Sequence, residues 1–315
     1  MVGCKETGTI VKGFINKEST SCLIQISYQA GCCVAYALFG WGLTIDMAIE
    51  IFSRKEQKYL ITRNQYEELV ERIGPEMRND KNGVDGKYSV TSLYFDSAEK
   101  GIYFETKNKL KYRQKLRLRV YDDADLTSKA FFEVKQKHKK VVNKRRMLLQ
   151  LGEAYRYLDE EGQAGLDHYK TSNLQVMKEI DYFRKFYRLR PEMVVSYSRH
   201  ALHGIHDSEL RITFDFDLRC RKEDLHIENG PYGEHFIDPD LVVLEVKVDH
   251  SVPLWLTRIL QELQCEQRSA SKFCTSMELL SGDELPQAGY FEQKELKERL
   301  IGGIENESDY ELVFN

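Results

Sequence analysis

Alternation governs the middle of this chain. From Lys111 to Tyr121 the odd positions Lys111, Arg113, Lys115, Arg117 and Arg119 are cationic, and Tyr112, Gln114, Leu116, Leu118 and Val120 stand between them. A period of two predicts a β-strand with two different faces. The pattern recurs in Lys129–Lys137, where Glu133, Lys135 and Lys137 share one face and Phe132 and Val134 the other. In the return strand from Val141, Lys144 and Arg146 share a face and Arg145 points away. Leu210–Cys220 sets Arg211, Thr213, Asp215, Asp217 and Arg219 against Ile212, Phe214, Phe216 and Leu218. Leu241–His250 sets Glu245 and Lys247 against Leu244, Val246 and Val248, and the stretch from Glu50 to Ile61 puts Glu56 beside Lys58. Lys87–Ser97 and Met193–Leu202, the latter carrying Arg199, also read as strands, and a turn at Ala98–Gly101 predicts a hairpin into Ile102–Thr106.

Helical spacing appears elsewhere. Tyr66, Leu69, Val70 and Ile73 form the stripe of an amphipathic helix over Arg63–Ile73. Gly152–Phe186 is mostly helical, with Leu174, Val176, Met177 and Ile180 apolar and Pro191 as its stop, and Pro253 opens another helix. The SASKFCTSMEL segment closes the domain, and beyond Gly282 the chain turns acidic, with a short helix expected around Gln293–Leu300. At the other end, Ser19–Ile45 has no charged residue. Its apolar heart, Ala30–Ile45, falls short of the roughly 20 residues a spanning helix needs, contains Gly31, Gly40 and Gly42, and sits late for a secretory signal. These shifts divide the chain into an N-terminal extension, 1–46 (a weak membrane segment, or upstream sequence before a natural start at Met47), a domain over 47–281 and an acidic tail over 282–315.

Composition narrows the chemistry. The 315 residues are 42% hydrophobic and 30% charged, enough for a real core, and the net charge of −4 argues against a nucleic-acid coat. The basic strands therefore point to a local anion site. Seven cysteines without a CxxC pair support neither a disulfide framework nor a zinc site. His200, His203 and His206 are spaced by three but lie at a strand end and turn, which disfavours a metal site, and no P-loop, HExxH or GxSxG is present.

A row of like charges on one strand face repels itself, and against an interior it would also need desolvation. It makes sense facing a wet cavity that holds a polyanion, for which Arg is the suited phosphate ligand. At least five strands have one apolar and one charged face, which predicts an α+β fold: an antiparallel closed β-barrel with a polar lumen and helices outside. The carboxylates between the cations would offset part of their charge and offer oxygen ligands to a hard divalent metal, so the site suits a triphosphate-like ligand with Mg²⁺ or Mn²⁺. Lys137, Arg219 and Asp217 read instead as ordinary cross-strand salt bridges, and Phe131, Phe132, Phe214 and Phe216 as packing.

The E-x-K of Glu56–Lys58, the RLR of Arg117–Arg119, the E-x-K of Glu133–Lys135, Arg199, the LRITFD from Leu210, the LEVK from Leu244 and the SKF from Ser271 occur in a familiar order. Over about Met47 to Leu280 the chain resembles the VTC domain of the triphosphate tunnel metalloenzymes, the polyphosphate polymerase module of the vacuolar transporter chaperone complex. The resemblance implies that Lys58, Arg117, Arg119, Lys135, Arg199, Arg211, Lys247 and Lys272 cradle the phosphates of ATP and a growing polyphosphate. It makes Glu245 the main metal ligand, assisted by Glu56, Glu133 and Asp215, with Lys144 and Arg146 as further phosphate contacts and Arg113 and Lys115 toward a tunnel mouth. The implied reaction moves the γ-phosphoryl of ATP onto the chain end. The alternatives are a triphosphatase of the same fold and a non-enzymatic polyphosphate-binding sensor. A cytoplasmic enzyme is expected, or one recruited to a membrane by a separate subunit; no motif specifies an oligomeric state.

Overall fold

The structure is a computed structural model. It describes residues 55–285 except 139–140, 161–162, 164, 269–270 and 283–284, together with the backbone of 11–15, 22–29, 32–38 and 51–52. The expected helix at Gln293–Leu300 and the acidic tail lie outside the described residues. The chain divides into two compact units, residues 1–50 and 51–315. In the first, β1 (Val11–Ile15), β2 (Cys22–Gln29) and β3 (Cys32–Leu38) form an antiparallel three-stranded sheet. Strands thus run through much of the uncharged segment, and no described helix in the chain is long and apolar enough to cross a membrane.

The second unit is built on a twelve-stranded sheet. In chain order its elements are β4 (Ile51–Phe52), β5 (Lys55–Thr62), α1 (Arg63–Ile73), β6 (Met77–Asn79), β7 (Lys87–Asp96) and α2 (Gly101–Lys107). Next come β8 (Tyr112–Tyr121), β9 (Lys129–His138), β10 (Val141–Gln150), α3 (Leu151–Asp159), α4 (Leu174–Phe186), β11 (Arg190–Gly204) and β12 (Arg211–Arg221). The last are β13 (Glu234–His235), β14 (Leu241–Val248), α5 (Leu254–Glu262), β15 (Glu266–Gln267) and α6 (Lys272–Ser281). The strand order is β15-β5-β14-β12-β11-β7-β8-β9-β10-β4, with β13 beside β12 and β6 beside β11, and the pairs are antiparallel.

The expected closed barrel is not what forms: the sheet is open and has two ends. Closure would require β5 to pair with β10. Instead, the free edge of β5 takes β15, with Glu266 opposite Leu60, and the edge of β10 takes β4, with Val142 opposite Phe52. The backbone groups that would have closed the ring are thus partly satisfied elsewhere, which also blunts two exposed edges. The sheet nevertheless curls. Lys135 on β9 is within electrostatic reach of Glu56 and Lys58 on β5, six strands away along the path. Its charged face is therefore concave.

The apolar face is covered by helices in two patches. Leu69 and Ile73 of α1 and Leu256 and Leu260 of α5 pack with Ile61, Phe214, Leu244 and Val246 at one end. Ala154 and Tyr157 of α3 and Met177 and Ile180 of α4 pack with Phe132, Met147 and Leu149 at the other. Helix α1 begins where the spacing predicts because Thr62 and Gln65 form a reciprocal capping box. Two expectations need correction. Ile102–Thr106 belongs to a helix: the Asp96 carboxylate accepts the backbone N–H groups of Ile102 at 2.8 Å and Tyr103 at 3.0 Å, satisfying donors that a strand would have spent on a neighbour. Helix α4 also stops before Pro191, because Arg188, at φ 51°, takes the left-handed conformation that ends helices. Pro191 instead stands at a register shift near the start of β11.

Candidate functional site

Strand register brings the charged positions together. Glu245 on β14 lies opposite Lys58 on β5, Lys247 opposite Glu56 on one side and Arg211 on the other, and Arg199 on β11 opposite Asp215 on β12. At the centre, Glu245 accepts three ammonium groups: Lys58 at 3.0 Å and Lys272 at 3.2 Å on Oε1, and Lys247 at 2.8 Å on Oε2. Lys58 also reaches Glu56 at 3.1 Å. Asp215 is fully buried, receives Arg199 bidentately at 2.6 and 2.8 Å, and meets Lys272 at 2.6 Å. Lys272 arrives from the start of α6, so that helix stands over the charged face, with Phe273 against Tyr94 and the Ser271 hydroxyl accepting Lys115 at 3.1 Å.

A second group occupies β7, β8 and β9. Arg117 donates to Glu133 from Nε at 2.6 Å and to the Tyr94 hydroxyl at 3.3 Å. Arg119 donates to Ser92 at 3.0 Å and to the Tyr197 hydroxyl at 3.1 Å. Sequence reading assigned no role to Tyr94, Ser92, Tyr197 or Ser271, which aim the cations. The signal was available for two of them, since Ser92 and Tyr94 alternate on β7 and pair with Arg119 and Arg117.

The third group is the most telling. Lys115, Lys135 and Lys144 stand directly opposite one another across β8, β9 and β10. Lys135 and Lys144 make no ion pair or hydrogen bond among the described residues. Like charges directly opposite are unfavourable, and Glu56 and Glu245 on β5 and β14 offset this row only in part. Burial, with the neighbouring lysines, lowers Lys115 and Lys144 to about 8 and lowers Lys135 as well. The carboxylates move the other way. Burial and the Glu245 charge push Glu56 up, but Lys58, Lys247 and Lys135 hold it at about 2. Burial likewise opposes ionisation of Glu133, yet Arg117 and Arg119 keep it at about 2. Glu245 and Asp215 are lowered too, against burial, by the cations that touch them.

The remaining candidates are peripheral. Arg211 bonds Asp80 at 3.2 Å and Tyr88 at 3.4 Å, Arg113 donates to the Leu110 carbonyl at 3.1 Å, and Arg146, opposite Glu133, lies over the Phe131 ring. Arg219 pairs with Asp217 at 3.1 Å, and Arg145 points away from the site to Glu179 on α4 at 2.7 Å. His200 and His203 are held by Tyr66, Asn79 and Asp80.

No three His, Cys, Asp or Glu side chains gather into a metal-ligating group among the described residues. Glu133 is engaged by Arg117, Asp215 by Arg199 and Lys272, and Glu245 by Lys58, Lys247 and Lys272. Glu56, which pairs with Lys58 alone among the described residues, is the least occupied, so an ion held by Glu56 and Glu245 would displace the Lys58 ammonium that bridges them. Two carboxylates do suit a Mg²⁺-like ion, which is usually held by one or two carboxylates together with substrate phosphates.

The lysine row carries a pH prediction. Because Lys115 and Lys144 are lowered from 10.5 to about 8, their charged forms cost the free fold stability below pH 8, and that cost fades as pH rises toward 10.5. A bound polyanion needs the protons the free fold resists. Tripolyphosphate affinity should therefore be full near neutrality and fall by about tenfold per lysine above pH 8. Calorimetric titration across that range checks it, and a flat profile would remove these lysines from the site.

A concave face with clustered arginines and a row of lysines only partly offset by carboxylates has the chemistry to receive a multiply charged oxyanion. The VTC domain family model matches residues 53–281. The chain belongs to the VTC domain family. A solved Bacillus halodurans structure, a candidate adenylate cyclase, is similar over 70% of this chain and 96% of its own, at 13% identity and a TM-score of 0.41. No curated protein matches.

Proposed function

We propose that this protein is a polyphosphate polymerase, moving the γ-phosphoryl group of ATP onto the end of a polyphosphate chain. The observation that carries this reading is the Lys115–Lys135–Lys144 row, an excess of cations lined up within one curled face that also holds Arg117, Arg119, Arg199, Lys272 and Lys247. Together with Arg113, the β8 cations extend over a longer line than three phosphates need, which suits a chain better than a single triphosphate.

In this reading Arg117 and Arg119 grip the transferring phosphate, their guanidinium groups fixed by Tyr94, Ser92 and Tyr197. Lys58, Lys247, Lys272 and Arg199 offset negative charge on the nucleotide side, and Lys115, Lys135 and Lys144 hold the acceptor chain, with Arg211 and Arg146 at the margins. A terminal phosphate oxygen attacks the γ-phosphorus; its bond forms as the bond to the β–γ bridging oxygen breaks, and ADP leaves. The acceptor is its own nucleophile, so the side chains contribute alignment and charge stabilisation. Mn²⁺ or Mg²⁺ on Glu245 and Glu56 would supply charge neutralisation at the phosphate oxygens.

The test is incubation with ATP and Mn²⁺, products being resolved on gels and by ³¹P NMR. A polyphosphate ladder with matching ADP is expected, reduced about a hundredfold or more by Arg117→Ala. Release of orthophosphate without chains would replace this reading with a triphosphatase, and retained polyphosphate binding without turnover would replace it with a sensor.

A further inference from the structure

The outer face of α4 has no part in the site, and its composition is unusual for a solvated helix. Tyr182 and Phe186, one turn apart, are 60% and 49% exposed and stack on each other with ring centroids 5.7 Å apart and planes within 21°. The opposite face of the same helix is already spent on the core through Val176, Met177, Ile180 and Phe183. Lys178, Lys185, Arg188 and Arg190 are exposed around the ring pair. Lys185 alone has a carboxylate partner among the described residues, Asp181 at 2.8 Å; the neighbouring Glu179 is taken by Arg145. Exposed Lys111 opens the segment leading to β8, and Gln114 on that strand bonds the Tyr187 hydroxyl at the end of α4. On a chain whose net charge is −4, four cations around two protruding aromatic rings are a local concentration, not background.

We propose that this face docks on an anionic lipid surface. The Tyr182 ring, apolar in body with a hydroxyl at its edge, suits the headgroup level, the apolar Phe186 ring suits the acyl boundary, and Lys and Arg beside them gain from the negative leaflet potential. The cations complement such a surface, and the projecting ring pair gives it what an acidic peptide would not need, a short wedge into the acyl boundary. The buried half of α4 anchors the wedge to the sheet, so docking requires no change in the fold.

The test is cosedimentation of the full-length protein with phosphatidylcholine vesicles, with and without phosphatidylserine. Binding is expected only with phosphatidylserine, and it should weaken in high salt. Tyr182→Ser with Phe186→Ser should release the protein, and Lys178→Gln with Arg188→Gln should weaken binding by about fivefold per cation. Unchanged thermal denaturation and tripolyphosphate affinity would show that both variants are folded. Absence of vesicle binding overturns the proposal, as do equal binding to both vesicles and binding that survives both double variants. Capture on poly-glutamate without vesicle binding would assign the face to an acidic protein.

Discussion

Glu245→Gln is expected to abolish turnover while sparing anion binding. Its carboxylate is the single point on which Lys58, Lys247 and Lys272 converge, and in the proposed polymerase it is also a ligand of the divalent ion. Glutamine keeps the shape and an acceptor oxygen but removes the charge. Polyphosphate synthesis should fall by about a hundredfold to a thousandfold. In metal-free buffer, tripolyphosphate should bind at least as tightly as before, because the basic cluster has lost a negative charge. Product formation and metal-free titration calorimetry, run on the same preparation, separate the two effects. A variant that still synthesises chains at the original rate would take Glu245 out of the chemistry, and parallel losses of binding and turnover would make it a structural brace.

Asp215→Asn tests stability instead. Asp215 is fully buried and neutralises both the Arg199 guanidinium and Lys272. Removing one side of a buried ion pair strands the other, a loss of about 3–5 kcal/mol. For a unit of this size that corresponds to a fall of about 10 °C in the melting temperature. Adding Arg199→Met should recover part of the loss, because one of the two stranded charges is then absent. A change of only a degree or two in the single variant would mean that water reaches these groups and that the pair is not desolvated.

The polar fabric of the site was legible because strands alternate strictly. Reading every second residue placed Lys58 with Glu56, Arg117 with Arg119, and Lys144 with Arg146 but not Arg145, and the register keeps those groupings. Alternation fails at one point on β12. Asp217 adopts a φ of 49° beside a register shift, so it leaves the face of Asp215 and bonds Arg219 and His235. No period-two rule anticipates a bulge. Ile102–Thr106 misled for a related reason: its apolar run is ambiguous by itself, and the capping carboxylate of Asp96 decides for helix.

By itself, then, the sequence determined which residues share a face, which faces are charged, and that the charges suit a phosphate polyanion, because side-chain direction along a strand is a local property. Only the tertiary structure decided that the sheet remains open, since closure depends on whether β5 and β10 meet, and each found a different edge partner. It also decided which cations occupy each carboxylate. Glu56, Glu133, Asp215 and Glu245 look alike in sequence, but Glu133 is held by Arg117, Asp215 by Arg199 and Lys272, and Glu245 by three lysines, while Glu56 pairs with Lys58 alone among the described residues; strand pairing and the reach of α6 across the concave face bring these partners in.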